Sequence, residues 1–151
     1  MNDLKRILLV EDNPRDVELT LEALGEHKLA NEVVVVHDGA EALEFLFRRG
    51  AYKMRTAGNP AVVLLDIKMP KVNGLEVLRA IREDAALKTL PVVILTSSRE
   101  EPDLREAYRL GSSAYVVKPV KFSEFVEAVK VVGAFWAILN EPPGESMKQA
   151  S

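Results

Sequence analysis

The 151-residue sequence contains no cysteine, and this absence excludes several kinds of site. Without thiols there are no disulfides, no thiolate metal ligands and no cysteine nucleophile, so the fold must be stabilised by packing alone. A chain of this kind suits a reducing compartment. We therefore predict a cytoplasmic protein.

The sequence also lacks a large excess of either charge and a long apolar segment. The 20 Lys and Arg residues face 23 Asp and Glu residues, and no basic run of the kind that binds phosphate backbones is present. The longest apolar run, residues 131–139, is interrupted by Gly133 and is much shorter than the roughly 20 residues of a membrane-spanning helix. We expect neither nucleic acid nor membrane as a partner.

Five short apolar runs, mostly β-branched and without polar alternation, predict strands that are buried on both faces. They comprise residues 7–10, 33–36, 62–65, 92–95 and 114–117. Apolar residues at helical spacing lie between these runs, and a last helix is predicted over about residues 123–139. The alternation requires parallel strands with right-handed crossovers. It predicts an α/β fold with a doubly wound five-stranded sheet and helices on both faces.

Local signals mark the starts of two helices and one long connection. Asn13 before Pro14 predicts a capped helix start, and the spacing of Ser98 and Glu101 predicts a capping box. Residues 48–60 form a connection longer than most loops of α/β folds.

Polar side chains follow four of the five predicted strands. They are Glu11 and Asp12, then Asp66, then Thr96 and Ser97, and finally Lys118. In a doubly wound sheet the carboxyl ends of the strands meet at one edge, so these side chains are expected to share a pocket. Three carboxylates so close together repel one another. Either their pKa values rise or a cation lies among them.

The residue types in this pocket predict a phosphorylation site. Oxygen ligands without histidine or cysteine favour Mg²⁺. Asp66 beside such an ion can attack phosphorus, while Lys118 and the hydroxyl of Thr96 hold the other phosphoryl oxygens. Taken singly, each residue also has an ordinary explanation as a helix cap or a strand end.

Four motifs occur in order along the chain, each after its own predicted strand. They are Glu11-Asp12, Asp66-Ile67-Lys68-Met69-Pro70 followed by Asn73-Gly74, Thr96-Ser97, and Lys118-Pro119. Over roughly residues 5–139 this series resembles the receiver domain of bacterial response regulators. The resemblance implies a flavodoxin-like receiver fold with strand order 2-1-3-4-5 in residues 1–139. Residues 140–151 are expected to form a flexible tail with no output domain.

The resemblance also implies the function of a stand-alone response regulator in a two-component phosphorelay. Such a protein accepts a phosphoryl group from the phosphohistidine of a sensor histidine kinase, here onto Asp66, in a magnesium-dependent reaction. It catalyses only its own phosphorylation and slow dephosphorylation, so it is not an enzyme with a turnover substrate.

Roles for individual residues follow from the same resemblance. It places Glu11, Asp12, Asp66 and the backbone carbonyl of Lys68 at Mg²⁺, and Thr96 and Lys118 at the phosphoryl group. Tyr115 would turn inward when Thr96 is drawn to the phosphoryl group, changing the face built from the fourth helix, the fifth strand and the fifth helix. The bond between Lys118 and Pro119 would be cis.

Two features are similar to the stand-alone regulators that serve bacterial and cyanobacterial phytochromes. These features are the long connection at residues 48–60 and a last helix that ends with Phe135 and Trp136. Because residues 131–139 are apolar or glycine all around the predicted helix, we expect Phe135 or Trp136 to face a second copy in a homodimer or a docking kinase. The alternative is a helix end that is covered by the tail.

Other functions are less consistent with the residues. A flavin-binding module of the same sheet order would hold its phosphate with Gly, Ser and Thr loops rather than with carboxylates. A phosphatase with an aspartyl nucleophile would need a second aspartate where this chain has Lys68. A degenerate receiver that serves only as a scaffold would have lost motif residues, and none is lost here.

Overall fold

Strands and helices alternate along the chain as the apolar runs predict. The structure is a computed structural model that describes residues 5–25, 31–55, 58–112 and 114–134. The strands are β1 (Lys5–Val10), β2 (Asn31–Val36), β3 (Val62–Asp66), β4 (Val92–Thr96) and β5 (Ala114–Val117). The helices are α1 (Pro14–Gly25), α2 (Gly39–Phe47), α3 (Gly74–Glu83), α4 (Pro102–Arg109) and α5 (Phe122–Val131), with a short 3-10 helix at Gly50–Tyr52.

The five strands form one parallel sheet in the order β2-β1-β3-β4-β5. Asp66 is paired with Leu95, and Thr96 is paired with Val117, so both polar residues end their strands at the same edge of the sheet. The strand order reverses beside β1, where a doubly wound sheet opens a crevice. The predicted fold class is confirmed.

Both faces of the sheet are covered by helices, which explains the apolar runs without polar alternation. On one face, alternate strand residues such as Leu8 and Ile94 pack with α2, α3 and α4. On the other face, residues such as Leu9 and Leu95 pack with α1 and α5, where Phe125 is fully buried. Each large buried side chain contributes about 1.5–3 kcal/mol, so the two layers hold the strand ends in place.

The starts of the helices agree only partly with the predicted caps. The side chain of Asn13 accepts hydrogen bonds from the backbone of Arg15 and Asp16 at 2.8 and 3.1 Å, which confirms the cap of α1. The capping box predicted at Ser98 is wrong, because α4 begins later with Glu101 as its N-cap. Pro102 occupies the first turn of the helix, where its fixed φ is suited, whereas the hydroxyl of Ser98 accepts from the N–H of Glu100 at 3.0 Å in the turn before the helix.

The last helix is shorter than predicted. It ends at Val131, and Gly133 follows in the left-handed region with φ of 78°. The N–H of Ala134 donates to the carbonyl of Val129 at 2.8 Å and that of Gly133 donates to Lys130 at 3.1 Å, the pattern of a Schellman cap. A continuous helix over residues 123–139 is therefore wrong.

The long connection after α2 folds back onto that helix. Arg48 ends α2 with φ of 55°, and the hydroxyl of Tyr52 donates to Glu41 at 2.7 Å. This hydrogen bond, with burial, raises the pKa of Tyr52 to about 12. The rings of Tyr52 and Phe45 meet edge to face at 5.1 Å, and the guanidinium of Arg55 lies 4.2 Å above the ring of Phe45.

Arg82 on α3 joins two loops at the other end of the sheet. Its guanidinium donates to the carbonyls of Lys88 at 3.1 Å, Leu90 at 2.7 Å and Gly111 at 3.0 Å. Burial lowers the pKa of Arg82. Three carbonyls thus share one planar donor, which fixes the connections before β4 and β5.

None of the helices in the described segments is long and apolar enough to cross a membrane.

Candidate functional site

The polar residues that follow the strands line one cleft of about 240 Å³ at the carboxyl edge of the sheet. Its lining consists of Glu11, Asp12, Asn13, Asp16, Asp66, Ile67, Lys68, Leu95, Thr96, Ser97, Glu101 and Lys118. The structure therefore brings together all the residues predicted for the metal and for the phosphoryl group.

Three carboxylates form the centre of this cleft. One oxygen from each of Glu11, Asp12 and Asp66 lies within 4.8 Å of the others. Glu11 and Asp66 are buried, with 0% and 5% exposure, whereas Asp12 is exposed. The three carboxylates lie close together because β1 and β3 are neighbouring strands that end side by side. Two of the charges are thus held away from water and the third faces the opening.

Lys118 is the cation nearest to this cluster among the described residues. Its Nζ lies 3.0 Å from Glu11 Oε1, 3.1 Å from Asp16 Oδ2 and 3.3 Å from Asp66 Oδ1. The backbone N–H of Lys118 donates to the carbonyl of Thr96 at 2.8 Å, and the bond to Pro119 is cis, as expected. One ammonium group therefore faces three carboxylates.

Asp16 was not predicted as a site residue. It lies in the first turn of α1, three residues after the cap Asn13, and it lines the cleft with Oδ2 3.1 Å from Nζ of Lys118. Its place in the sequence could have predicted this position, because Asp16 stands one turn into a helix that begins at the cleft.

Burial and repulsion raise the pKa of Asp66 to about 7. Burial is the largest cause, and the charge of Glu11 adds to it, while Lys118 opposes both. Burial also disfavours the charged form of Lys118, but Asp66 and Glu11 outweigh it and leave the pKa of the lysine above its ordinary value. The carboxylates around Lys118 therefore carry more negative charge than that lysine neutralises.

The donor set fits a hard divalent cation. Glu11, Asp12 and Asp66 offer only oxygen atoms, and no histidine lines the cleft. Mg²⁺ binds one or two carboxylates, retains several waters and accepts phosphoryl oxygens, so a partly open cleft of this size suits it. The sequence left open whether the carboxylates have raised pKa values or bind a cation. Both apply to this cleft, because the crowding that raises the pKa of Asp66 also favours binding of a cation.

The remaining predicted residues lie in two places. Thr96 is buried beside the cleft, and its hydroxyl donates to the carbonyl of Ser98 at 3.0 Å. Tyr115 is half-buried on β5 and lies outside the cleft, with its ring edge to face against Tyr108 at 6.3 Å. It lines a groove of about 430 Å³ bounded by β5, α5 and Tyr108 of α4. The predicted aromatic pair, Phe135 and Trp136, lies outside the described residues.

The loop between β3 and α3 positions Asp66 through a close backbone contact. The N–H of Gly74 donates to the carbonyl of Ile67 at 2.8 Å. A Cβ atom on Gly74 would lie 2.2 Å from the carbonyl oxygen of Asp66 and 2.8 Å from Cα of Ile67. Only glycine fits there, so the Asn73-Gly74 motif has a structural reason.

Comparisons with known proteins agree with this geometry. Residues 7–130 match the sequence family described as the response regulator receiver domain. The solved structure of the bacteriophytochrome response regulator RtBRR is 61% identical, and the match covers 96% of this chain and 87% of that chain with a TM-score of 0.83. The structure of the bacteriophytochrome response regulator AtBRR is 58% identical, and the match covers 93% of this chain and 100% of that chain with a TM-score of 0.85.

A third relative is the response regulator Rcp1 of Synechocystis sp. (strain ATCC 27184 / PCC 6803 / Kazusa). It is 36% identical over 135 residues, which are 89% of this chain and 90% of Rcp1. The crystal structure of its Mn²⁺-bound form matches with a TM-score of 0.71 at 35% identity, covering 88% of this chain and 94% of that chain. A divalent cation is thus bound by a relative with the same fold.

The family match covers most of the chain, the sheet has the predicted order and the acidic cluster lies at its carboxyl edge. Members of this family are signalling phosphoacceptors rather than enzymes with a turnover substrate. By these findings the chain belongs to the response regulator receiver domain family, and it is similar to the regulators of bacteriophytochromes.

Proposed function

We propose that this protein receives a phosphoryl group on Asp66 from the phosphohistidine of a sensor histidine kinase. A carboxylate oxygen of Asp66 forms a bond to phosphorus, the bond from phosphorus to the imidazole nitrogen breaks, and that nitrogen keeps the electron pair and takes up a proton. The observation that carries this proposal is the position of Asp66, which lies 3.3 Å from Lys118 among carboxylates at the strand ends.

Lys118 and Thr96 would stabilise the transferred group. The ammonium of Lys118 already lies between Asp66 and Glu11, so it needs little movement to reach a phosphoryl oxygen. The hydroxyl of Thr96 donates to the carbonyl of Ser98 and would have to exchange that partner for the phosphoryl group. Such an exchange would couple phosphorylation to the turn at Ser98, which precedes α4.

Glu11, Asp12 and Asp66, with the backbone carbonyl of Lys68, are the residues proposed to hold Mg²⁺. The bound ion supplies positive charge that offsets the carboxylates and the incoming phosphoryl group. The chain's own contribution is to hold these oxygens at one edge of the sheet and to keep two of the carboxylates buried.

The likeness to RtBRR and AtBRR, both bacteriophytochrome response regulators, supports a phytochrome-type histidine kinase as the phosphoryl donor. The signal would leave through the face of α4, β5 and α5, where Tyr115 and Tyr108 border the open groove. The proposed homodimer would use the same side of the molecule. Val131 at the end of α5 is 62% exposed, which supports an apolar contact there.

Phosphorylation is tested by mass. The protein is incubated with a small acyl phosphate, with and without Mg²⁺, and its intact mass is measured. We expect the wild type to gain one phosphoryl group only with Mg²⁺, Asp66→Asn to gain none, and the exposed control Glu18→Gln to behave as the wild type. A wild type that stays unmodified contradicts the proposal.

The dimer is tested separately by sedimentation of the wild type and Trp136→Ala. We expect the wild type to sediment as a dimer and the variant as a monomer. Two monomers would contradict the proposed dimer and leave the phosphorylation site unaffected.

A further inference from the structure

An ion pair joins the two walls of the cleft beside Asp66. Nζ of Lys68, on the loop after β3, lies 3.1 Å from Oε2 of Glu101, which precedes α4. The two side chains differ in freedom, because that of Lys68 is 68% exposed and that of Glu101 is 9% exposed. The lysine can therefore swing, whereas the carboxylate is held.

Glu101 also determines where α4 begins. Its other carboxylate oxygen accepts from the backbone N–H of Asp103 at 3.5 Å, and its backbone carbonyl accepts from Leu104 at 3.0 Å. Pro102 has no N–H, so the cap from Glu101 serves the first free donor of the helix. One carboxylate thus contacts both the lysine at the cleft and the first turn of α4.

We propose that phosphorylation of Asp66 breaks the ion pair of Lys68 and Glu101, and that this exchange transmits the signal to α4. The proposal rests on the proposed function of Asp66. Phosphorylation replaces the single carboxylate charge of Asp66 with a phosphoryl charge near −2, which lies further out in the cleft that both residues line. It attracts the mobile ammonium of Lys68 and repels the held carboxylate of Glu101. The first turn of α4 then loses part of its cap.

The same exchange controls how long the phosphoryl group lasts. In hydrolysis a water oxygen bonds to phosphorus and the bond from phosphorus to the oxygen of Asp66 breaks. The carboxylate is regenerated, and inorganic phosphate leaves with the hydrogen atoms of the water. Lys68 on the phosphoryl oxygens covers the mouth through which this water enters. Glu101 competes for Lys68, so it shortens the lifetime, while Lys68 lengthens it.

The test is a double-mutant cycle on the phosphoryl lifetime. Wild type, Glu101→Gln, Lys68→Gln and the double variant are phosphorylated by a small acyl phosphate in Mg²⁺, the donor is removed, and the decay is followed by intact mass. We expect Glu101→Gln to lengthen the half-life about 2- to 5-fold and Lys68→Gln to shorten it by a similar factor. In the Lys68→Gln background the Glu101→Gln change should have no effect.

A second measurement separates signalling from simple stability. Hydrogen exchange at the start of α4 should rise when the wild type is phosphorylated, and unphosphorylated Lys68→Gln should already show part of that rise. Glu100→Gln, which removes a neighbouring charge outside the cleft, should match the wild type in both assays.

The outcomes distinguish the two proposals. A wild type that gains no phosphate overturns the proposed function and this inference together. A phosphorylated wild type in which Glu101→Gln acts equally with and without Lys68, or in which exchange at α4 stays constant, overturns only the inference.

Discussion

Replacing the proposed acceptor should stabilise the protein when no divalent cation is present. Asp66 is buried and its pKa is raised from its ordinary 3.8 to about 7, chiefly by burial and then by Glu11. Ionising this side chain in the folded state therefore costs up to about 4 kcal/mol relative to the unfolded chain. The pKa of about 7 already includes the attraction of Lys118, so no separate correction for the lost ion pair is needed, and we expect Asp66→Asn to gain about 2–4 kcal/mol at pH 8.

The gain has a defined dependence on pH. The folded protein keeps a proton on Asp66 that the unfolded chain loses, so this group's contribution to stability is fully present below about pH 4. It is lost as the pH rises towards and through 7. The advantage of Asp66→Asn should accordingly fall to less than half at pH 5.

Urea unfolding in a chelator at pH 5 and pH 8 measures this difference. With a slope of about 2 kcal/mol/M, the midpoint of Asp66→Asn at pH 8 should lie about 1–2 M above that of the wild type. Glu18→Gln removes an exposed carboxylate and should leave the midpoint unchanged. If Asp66→Asn is equally or less stable at pH 8, or if its advantage does not depend on pH, the reasoning from burial and repulsion is refuted.

Three further substitutions test the backbone and the loops by urea unfolding. Gly133→Ala should destabilise the protein by about 1 kcal/mol because the φ of Gly133 is positive. Gly25→Ala, at a position that also has open space around it, is the control and should leave the stability unchanged. Equal effects of the two substitutions would contradict the Schellman cap. Gly74→Ala should destabilise the protein by more than about 2 kcal/mol and slow phosphorylation, because the Cβ of the alanine would collide with the carbonyl of Asp66. Unchanged stability would disprove the close contact. Arg82→Lys should lower the free energy of unfolding by about 2 kcal/mol, because an ammonium group cannot donate to three carbonyls in the way that the planar guanidinium does. Unchanged stability would argue against a role of Arg82 in joining the two loops.

The fold could be predicted from the sequence because its signals are local. Apolar runs such as residues 62–65 are too short for helices and have no polar alternation, so they indicate strands covered on both sides. Once the strands are parallel, their carboxyl ends must meet, and the positions of Glu11, Asp66 and Lys118 after the runs predict a common cleft. The end of α5 was missed although Gly133 offered a signal, because the apolar residues that follow it continue the helical pattern.

The tertiary structure alone decided how the charges of the cleft are shared. Lys118 also contacts Asp16, and Lys68 pairs with Glu101. Both contacts depend on the packing of α1 and α4 beside the strand ends rather than on spacing in the chain. The raised pKa of Asp66 likewise depends on burial, which no short motif encodes. The sequence by itself determined which residue types arrive at the edge of the sheet, since strand periodicity is a local property. Distances, desolvation and pairing are properties of the assembled core, and they decided what those residues do to one another.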